Sequence, residues 1–158
     1  TPLGISKESI IITKPILATI LRAGLPLHQG LLNYFDQADS AFISAYRKDN
    51  SDGGFEVEVE YISSPIIDNR TIILCDPMLA SGTSMVLAIE ALLLIGKPKH
   101  IHIVGVIASS EGVDYLERNI PILACTLWLG AVDKEMNSHS YIIPGLGDAG
   151  DLAFGKKI

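Results

Sequence analysis

The sequence is short of positive charge and of long apolar runs. Its 158 residues carry 12 Lys and Arg against 18 Asp and Glu, which gives a formal net charge of −6. An acidic balance of this kind argues against a nucleic-acid polymer as a partner. No apolar run reaches the roughly 20 residues of a transmembrane helix, so we expect no membrane partner. With 48% hydrophobic and 19% charged residues, the composition is that of a globular domain.

Cysteine is also scarce. Cys75 and Cys125 are the two cysteines of the chain, and each lies in an apolar, strand-like run. This placement predicts reduced, buried thiols in a cytoplasmic protein and not a disulfide. Cys75 has no His near it in the sequence, and no Ser–His or Cys–His set stands out elsewhere. We therefore expect chemistry that needs no protein nucleophile.

Two nucleotide-binding motifs are missing or misleading. A Walker loop ends in Gly-Lys-Ser/Thr, and no Lys lies between Arg70 and Lys97. A G-x-G-x-x-G string does occur at residues 145–150, but eight residues follow it. They leave no room for a helix and a second strand, so we expect no dinucleotide-binding fold from this string.

Apolar runs that suit strands alternate with helical patterns along the chain. We predict strands at residues 16–21, 41–46, 55–62, 71–75, 101–107 and 122–129, and helices at 26–36, 83–95 and 111–118. Gly96 is expected to end the second helix, and Ser109 or Ser110 to cap the third. The pattern predicts one α/β domain, residues 1–158, with a mainly parallel sheet flanked by helices on both faces.

Two segments depart from this alternation. The polar loop at residues 48–54 and the alternating strand after it predict a projecting β-hairpin. The tail from Gly145 holds three glycines in six residues and is expected to lack regular structure. Such a tail is either a binding segment or a frayed terminus.

Residues 72–89 combine a strand, an acid, a loop of small residues and a helix. Asp76 follows the apolar run, and Ala80-Ser-Gly-Thr-Ser84 precedes the helical pattern. The first turn of a helix presents free N–H groups and partial positive charge, and small residues let a phosphate approach them. A sugar phosphate would bind with its phosphate on the loop and its hydroxyls on the Asp76 carboxylate. An ordinary strand–loop–helix turn capped by Ser or Thr remains the alternative.

Two arginines supply local positive charge. Arg22 and Arg47 each follow a predicted strand, so both are expected at the sheet edge that carries Asp76. The forked guanidinium suits bidentate binding of phosphate. A surface ion pair is the alternative for each of them.

Three separated motifs resemble one family. Residues 76–84, Asp-Pro-Met-Leu-Ala-Ser-Gly-Thr-Ser, resemble the loop for phosphoribosyl pyrophosphate (PRPP) of uracil phosphoribosyltransferases, usually written DPMLATGGS. Residues 20–25, Ile-Leu-Arg-Ala-Gly-Leu, resemble their pyrophosphate loop. Residues 141–151, Tyr-Ile-Ile-Pro-Gly-Leu-Gly-Asp-Ala-Gly-Asp, resemble their uracil-binding hood. The resemblance implies the type I phosphoribosyltransferase fold, with a C-terminal base-binding hood at about residues 137–158.

The resemblance also implies site residues. PRPP is expected to contact the two arginines, both aspartates and the loop: Arg22, Arg47, Asp76, Pro77, Met78, Leu79, Ala80, Ser81, Gly82, Thr83, Ser84 and Asp148. Uracil is expected at Tyr141, Ile142, Gly147, Asp148 and Ala149, read mainly by main-chain groups. Asp76, Asp148 and Arg22 are the catalytic candidates.

The implied reaction joins uracil to PRPP, giving UMP and pyrophosphate in pyrimidine salvage. Mg²⁺ is the implied cofactor, held chiefly by pyrophosphate oxygens with no direct protein ligand. The resemblance further implies a homodimer or higher homo-oligomer and a nucleotide effector such as GTP. A phosphoribosyltransferase-fold regulator that binds a nucleotide without catalysis, or a transferase for another base, are the alternatives.

The chain departs from the family pattern in the loop and at its start. Thr83 stands where a second glycine is usual, which adds a side chain near the phosphate, and Ser81 replaces Thr but keeps the hydroxyl. Family members also carry an N-terminal segment before the position matching Thr1, and we expect that segment to complete the subunit interface.

The remaining conspicuous side chains receive lesser roles. His28 is expected to be exposed or capping, and Trp128 to lie in the core. His100 and His102 alternate along a strand without further metal ligands at suitable spacing. His139 is a candidate to support the hood, and Tyr141 is expected to cover the ribose.

Overall fold

The computed structural model describes residues 1–9, 11–49, 55–120 and 125–156, and it describes residues 46–49 and 55–58 by their backbone alone. The elements follow the order β1 (Ile16–Leu21), α1 (Leu25–Leu32), β2 (Asp39–Asp49), β3 (Phe55–Ser63), β4 (Thr71–Cys75), β5 (Met78–Leu79), α2 (Thr83–Ile95), β6 (His100–Ser109), α3 (Ser110–Asn119), β7 (Cys125–Asp133), β8 (Glu135–Met136), β9 (Ile142–Ile143) and α4 (Ala149–Phe154).

Seven strands form the main sheet, in the order β3-β2-β1-β4-β6-β5, with β7 also paired to β6. β2 and β3 form an antiparallel hairpin, and the other pairs are parallel. Of the predicted turn at residues 48–54, Lys48 and Asp49 belong to β2, and residues 50–54 lie outside the described residues. β1 is apolar apart from Thr19 and buried over its first five residues, as expected of a central parallel strand.

Helices cover both faces of the sheet around β1, as predicted. Ile16, Ala18 and Ile20 belong to one buried cluster with Met85 and Ile89 of α2. His28 of α1 packs on the other face, where its ring centroid lies 5.5 Å from that of Phe42. Pro26 lies in the first turn of α1, where its missing N–H is not needed.

The sequence-based element bounds were right for β1, β4 and α2 and wrong in detail elsewhere. α1 ends at Leu32, before the predicted residue 36, and β2 continues to Asp49, past the predicted residue 46. β5 was not predicted, because two residues are too short for a periodic signal. The tail is not structureless, since α4 forms within it.

Two side chains contradict their predicted environment. His28 is 4% exposed, so it is neither an exposed nor a capping residue. Trp128 is 56% exposed on the β6–β7 part of the sheet and is not a core residue. Its Nε1–H donates to Nδ1 of His102 at 3.2 Å. Within the described residues, no helix is both long and apolar enough to cross a membrane.

Candidate active site

A cavity of about 370 Å³ opens at the carboxyl ends of the parallel strands. Its lining comes from the β1–α1 segment, β2, the residues after β4, and the C-terminal hood: Ile20, Leu21, Ala23, Ala45, Asp76, Met78, Ala80, Ser84, Ser140, Tyr141, Gly147, Asp148, Ala149 and Gly150. This is the edge at which ligands bind in open parallel sheets. Residues from both ends of the chain therefore meet around one space.

A smaller cavity of about 70 Å³ lies beside Asp76, and it is formed by the 76–84 loop and Met85. Gly82 has φ +80°, a left-handed conformation that strains other residues, and it stands at the N-cap of α2. Among the described side chains, none caps this end of α2 by a hydrogen bond. The first-turn N–H groups of α2 are thus available to an anion.

The side chains of the loop add hydroxyl groups to these main-chain donors. The Ser81 hydroxyl donates to Oγ1 of Thr83 at 3.2 Å, and Ser84 lines both cavities. Thr83 is the first residue of α2, and it stands at the position where the family pattern has a second glycine. Pro77 and Thr83 are not among the described residues that line either cavity.

Helix α3 supports the 76–84 loop from behind. The Ser109 hydroxyl donates to the carbonyl oxygen of Ala80 at 2.6 Å and accepts the N–H of Gly112 at 2.8 Å as the N-cap of α3. A Cβ on Gly112 would lie 2.1 Å from the Ala80 carbonyl oxygen, so only glycine fits there. These contacts hold the loop in position against the end of β6 and the start of α3.

Asp76 is mostly buried at the junction of the two cavities. Burial raises the pKa of its carboxyl from 3.8 to about 6, while the N–H of Met78, 3.2 Å from Oδ1, acts in the opposite direction. The carboxylate is therefore ionised at neutral pH, but it is held where ionisation is unfavourable without a partner. Hydroxyl donors of a ligand would provide such partners.

Cys75 carries no nucleophilic role beside Asp76. Burial raises the pKa of its thiol to about 11, and Sγ lies 3.2 Å from the carbonyl oxygen of Ala18. Cys75 is buried and Cys125 half-buried, and both are free thiols. The expected reduced state is confirmed, while full burial holds for Cys75 alone.

The hood is built from short elements that follow β7. β8 and β9 pair with each other, and Oδ1 of Asn137 accepts the N–H groups of His139 and Tyr141 at 2.9 and 3.0 Å. Asp148 caps α4, because its Oδ1 accepts the N–H of Asp151 at 2.8 Å. The tight turns and caps leave Tyr141, Gly147, Asp148 and Ala149 along the cavity.

Arg22 lies directly after β1, as predicted, but its guanidinium contacts the hood. Nη2 lies 2.6 Å from Oδ1 of Asp151 and donates to the carbonyl oxygen of Gly155 at 2.8 Å. Leu21 and Ala23 line the cavity on either side of it. The ion-pair alternative for Arg22 is thus realised, although its partner belongs to the proposed site.

Two predicted site residues are placed differently from the rest. Arg47 does not follow a strand but lies inside β2, opposite Val57, and its side chain is outside the described part of the chain. Ile142 is 2% exposed and does not appear among the described cavity-lining residues. His139 is exposed in the hood.

Sequence reasoning did not assign a role at the site to Ser109, Gly112, Ser140 or Asp151. Asp151 ended the hood motif, and its spacing from Asp148 is that of a capped first helical turn, which was a usable signal. Ser109 and Gly112 gave no signal of a site, because their contacts with the 76–84 loop bridge 29 residues or more of sequence.

Comparisons with known proteins agree with the architecture and with the motifs. The family model described as uracil phosphoribosyltransferase matches residues 1–156. The uracil phosphoribosyltransferase of Porphyromonas gingivalis is 54% identical over 158 residues, which are the whole of this chain and 73% of that protein.

Solved structures show the same fold. The AQ2163 protein of Aquifex aeolicus superposes with a TM-score of 0.84 at 29% identity, covering all of this chain and 74% of that one. A purine phosphoribosyltransferase of Pyrococcus horikoshii gives a TM-score of 0.54 at 14% identity, over 78% of this chain and 79% of that one, which is a likeness of fold alone. By its fold, its motifs and the match along nearly its whole length, the chain belongs to the uracil phosphoribosyltransferase family.

Proposed function

We propose that this protein transfers the phosphoribosyl group of PRPP to uracil, giving UMP and pyrophosphate. The observation that carries the proposal is the single cavity of about 370 Å³ in which Asp76, the 76–84 loop and the hood meet. This reaction needs three parts: a turn that binds phosphate, a carboxylate that binds hydroxyls, and a glycine-rich segment with accessible main-chain groups.

The 76–84 loop holds the 5′-phosphate of PRPP in this proposal. The free N–H groups at the start of α2 donate to the phosphate oxygens, and the Ser81 and Ser84 hydroxyls, which line the cavities, add further donors. The Thr83 hydroxyl accepts from Ser81 and supports it from outside the cavities. The Asp76 carboxylate accepts hydrogen bonds from the ribose hydroxyls. Its pKa of about 6 keeps it ionised at neutral pH, and the ribose donors offset the unfavourable burial of its charge.

The hood reads the base. Gly147, Asp148 and Ala149 present main-chain groups along the cavity, and Tyr141 covers the ribose and base from the same side. The Ile142 side chain is buried, so any contact of this residue with uracil would come from its main-chain groups. Fixed main-chain donors and acceptors suit the O2, N3–H and O4 pattern of uracil and leave groups unpaired with cytosine.

Arg22, Arg47 and Asp148 act at the pyrophosphate end. Arg22 keeps its Nη1 and Nε groups for the pyrophosphate while Nη2 is held by the hood. Arg47 contributes a second cation from β2. As pyrophosphate leaves, positive charge develops on the ribose and negative charge on the leaving group, and the protein stabilises both by groups positioned beforehand.

The oxygen ligands around the cavity fit Mg²⁺ bound with pyrophosphate. Asp76 and Asp148 line the cavity and would face the water shell of such an ion with hard carboxylate oxygens. This donor set suits an ion held mainly by its substrate. When bound, Mg²⁺ supplies charge neutralisation on the pyrophosphate.

We further propose a cytoplasmic homodimer or higher homo-oligomer that responds to a nucleotide such as GTP. The exposed Trp128, Val106 and Val132 on the β6–β7 part of the sheet support self-association. Light scattering at several protein concentrations, with and without GTP, measures both properties.

The deciding experiment mixes the protein with PRPP, Mg²⁺ and a panel of uracil, cytosine, hypoxanthine and guanine. We expect pyrophosphate release and UMP with uracil alone, and loss of the reaction when Mg²⁺ is chelated. Release with a purine would indicate a transferase for another base. PRPP binding without release from any base would indicate the regulator alternative.

A further inference from the structure

One side-chain contact joins two segments that lie near opposite ends of the chain. Arg22 and Asp151 are 129 residues apart, and Nη2 of Arg22 lies 2.6 Å from Oδ1 of Asp151. The same nitrogen donates to the carbonyl oxygen of Gly155, which follows α4. The two side chains are 28% and 33% exposed, so the pair is partly shielded from water and from salt. A single guanidinium thus holds the β1–α1 segment to both ends of α4.

The opposite edge of the guanidinium faces the residue before Asp151. Nε of Arg22 is buried, and among the described residues it has no hydrogen-bond acceptor. A Cβ on Gly150 would lie 3.6 Å from this Nε and 3.2 Å from Oδ1 of Asp148. A buried donor without an acceptor is rare in native structures, and it calls for a partner that the free protein lacks. The unsatisfied N–H lies next to the cavity-lining Gly150 and Ala23.

Asp151 connects this cation to the proposed base-binding segment. Its main-chain N–H donates to Oδ1 of Asp148, and its carboxylate binds Arg22. Neither Asp151 nor Arg22 is among the described residues that line the cavity, whereas Asp148 lines it. Asp151 therefore acts on a ligand through its neighbours and not by direct contact. A shift of its carboxylate would move the charge of Arg22 and the cap of α4 together.

We propose that Asp151 is a positioning residue that holds Arg22 against α4 and so sets the orientation of Arg22 toward the pyrophosphate. The inference rests on the proposed function, in which Arg22 serves the leaving group. Nη2 is occupied by Asp151 and Gly155, which directs the remaining N–H groups of Arg22 to the ligand. Losing the carboxylate frees the guanidinium to take other rotamers, and PRPP must then order it on binding.

The test is a double-mutant cycle of Asp151→Asn and Arg22→Ala, with KM and kcat measured for PRPP at saturating uracil. Asn matches Asp in shape and keeps an oxygen acceptor, so the change removes mainly charge. In the parent background we expect Asp151→Asn to lower kcat/KM for PRPP about tenfold, a typical coupling between contacting residues. In the Arg22→Ala background the same change should lower it less than about twofold, because its partner is gone.

A conservative variant separates positioning from plain structural support. Asp151→Glu retains the charge, so it should recover part of the loss in kcat/KM, while the ratio of kcat/KM for uracil over cytosine stays near the parent value. Asp114→Asn is the matched control, since Asp114 pairs with Arg118 at 3.8 Å on exposed α3. We expect that control to stay within about twofold of the parent.

Either of two results overturns the inference: Asp151→Asn as active as Asp114→Asn, or a loss that persists undiminished when Arg22 is Ala. Thermal unfolding of each variant fixes a common assay temperature at which all are folded. A variant that cannot be assayed is replaced at its own position, by Asp151→Ser for Asp151→Asn or by Arg22→Gln for Arg22→Ala, and the cycle is read in the same way. A parent that binds PRPP but transfers to no base contradicts the proposed function alone, and the cycle is then run on PRPP dissociation constants. A parent that does not bind PRPP contradicts both.

Discussion

The 76–84 loop and the hood line the same cavity but are built in different ways. The loop is almost local: Asp76, Gly82 and the start of α2 follow one another within a few residues, and the left-handed Gly82 sets the turn. The hood depends on distant contacts, above all the pairing of Asp151 with Arg22 near the other end of the chain. The turn at the phosphate end is therefore formed by local backbone geometry and supported by α3, whereas the base end combines local caps with a distant ion pair.

The largest effect should come from filling the loop. Gly82→Val places a branched side chain at φ +80°, with a Cβ 2.8 Å from the Gly112 carbonyl oxygen, so we expect PRPP binding to be lost and stability to fall. Gly30→Val in α1 is the matched control, because no described atom lies within 4 Å of a Cβ there. Calorimetric titration with PRPP checks the prediction. An affinity within a few-fold of the parent would show that the phosphate does not bind to this loop.

The next effect concerns the hood carboxylate. Asp148→Asn should lower kcat on the order of 10²-fold, as expected when a group that stabilises developing charge is lost. It should leave the preference for uracil over cytosine nearly unchanged, because main-chain groups read the base. Ratios of kcat/KM for both bases, in the parent and in the variant, decide this. If the variant accepts cytosine, then the Asp148 side chain reads the base.

A smaller effect links the loop acid to stability. The folded pKa of Asp76, about 6, exceeds its ordinary 3.8, so the folded state binds the extra proton between these values. The contribution of Asp76 to stability is thus fully present below pH 3.8 and is lost as the pH rises through 6. Asp76→Asn removes this penalty and should raise the free energy of unfolding by about 2–3 kcal/mol at pH 7.5, but by little at pH 4. It should also abolish the transfer reaction.

Denaturant unfolding of the parent and of Asp76→Asn at both pH values measures the difference. Asp36→Asn, an exposed acid after α1, serves as control. Equal gains at pH 4 and pH 7.5 would show that Asp76 is not destabilised by its charge.

The smallest effect tests how the loop is supported. Ser109→Ala removes the N-cap of α3 and the hydrogen bond to the Ala80 carbonyl, which should lower stability by about 1–2 kcal/mol and weaken PRPP binding a few-fold. Ser110→Ala is the control, since that hydroxyl lies 3.4 Å from the Asp133 carbonyl oxygen, away from the loop. If both variants bind PRPP alike, α3 does not position the loop.

The same contrast explains which expectations the structure confirmed. The strands at 16–21 and 71–75 and the helix at 83–95 were predicted with their bounds, because their apolar periodicity is a local property. The helix after β6 was predicted with two possible caps, and the contact of Ser109 with Gly112 and Ala80 selects one of them. β5 and α4 were missed, since their few residues form regular structure only against β6 and the Asp148 cap.

By itself, the sequence determined the α/β class, the family motifs and the chemistry of the 76–84 loop, because strand periodicity, small residues and a helix start act within a dozen positions. Only the tertiary structure decided that Arg22 pairs with Asp151, that Arg47 lies within β2, and that His28 is buried while Trp128 is exposed. The physical reason is that burial and ion pairing depend on which distant segments meet. The residue type determines which partners a side chain is able to bind, and the packing of distant segments determines which of those partners it meets.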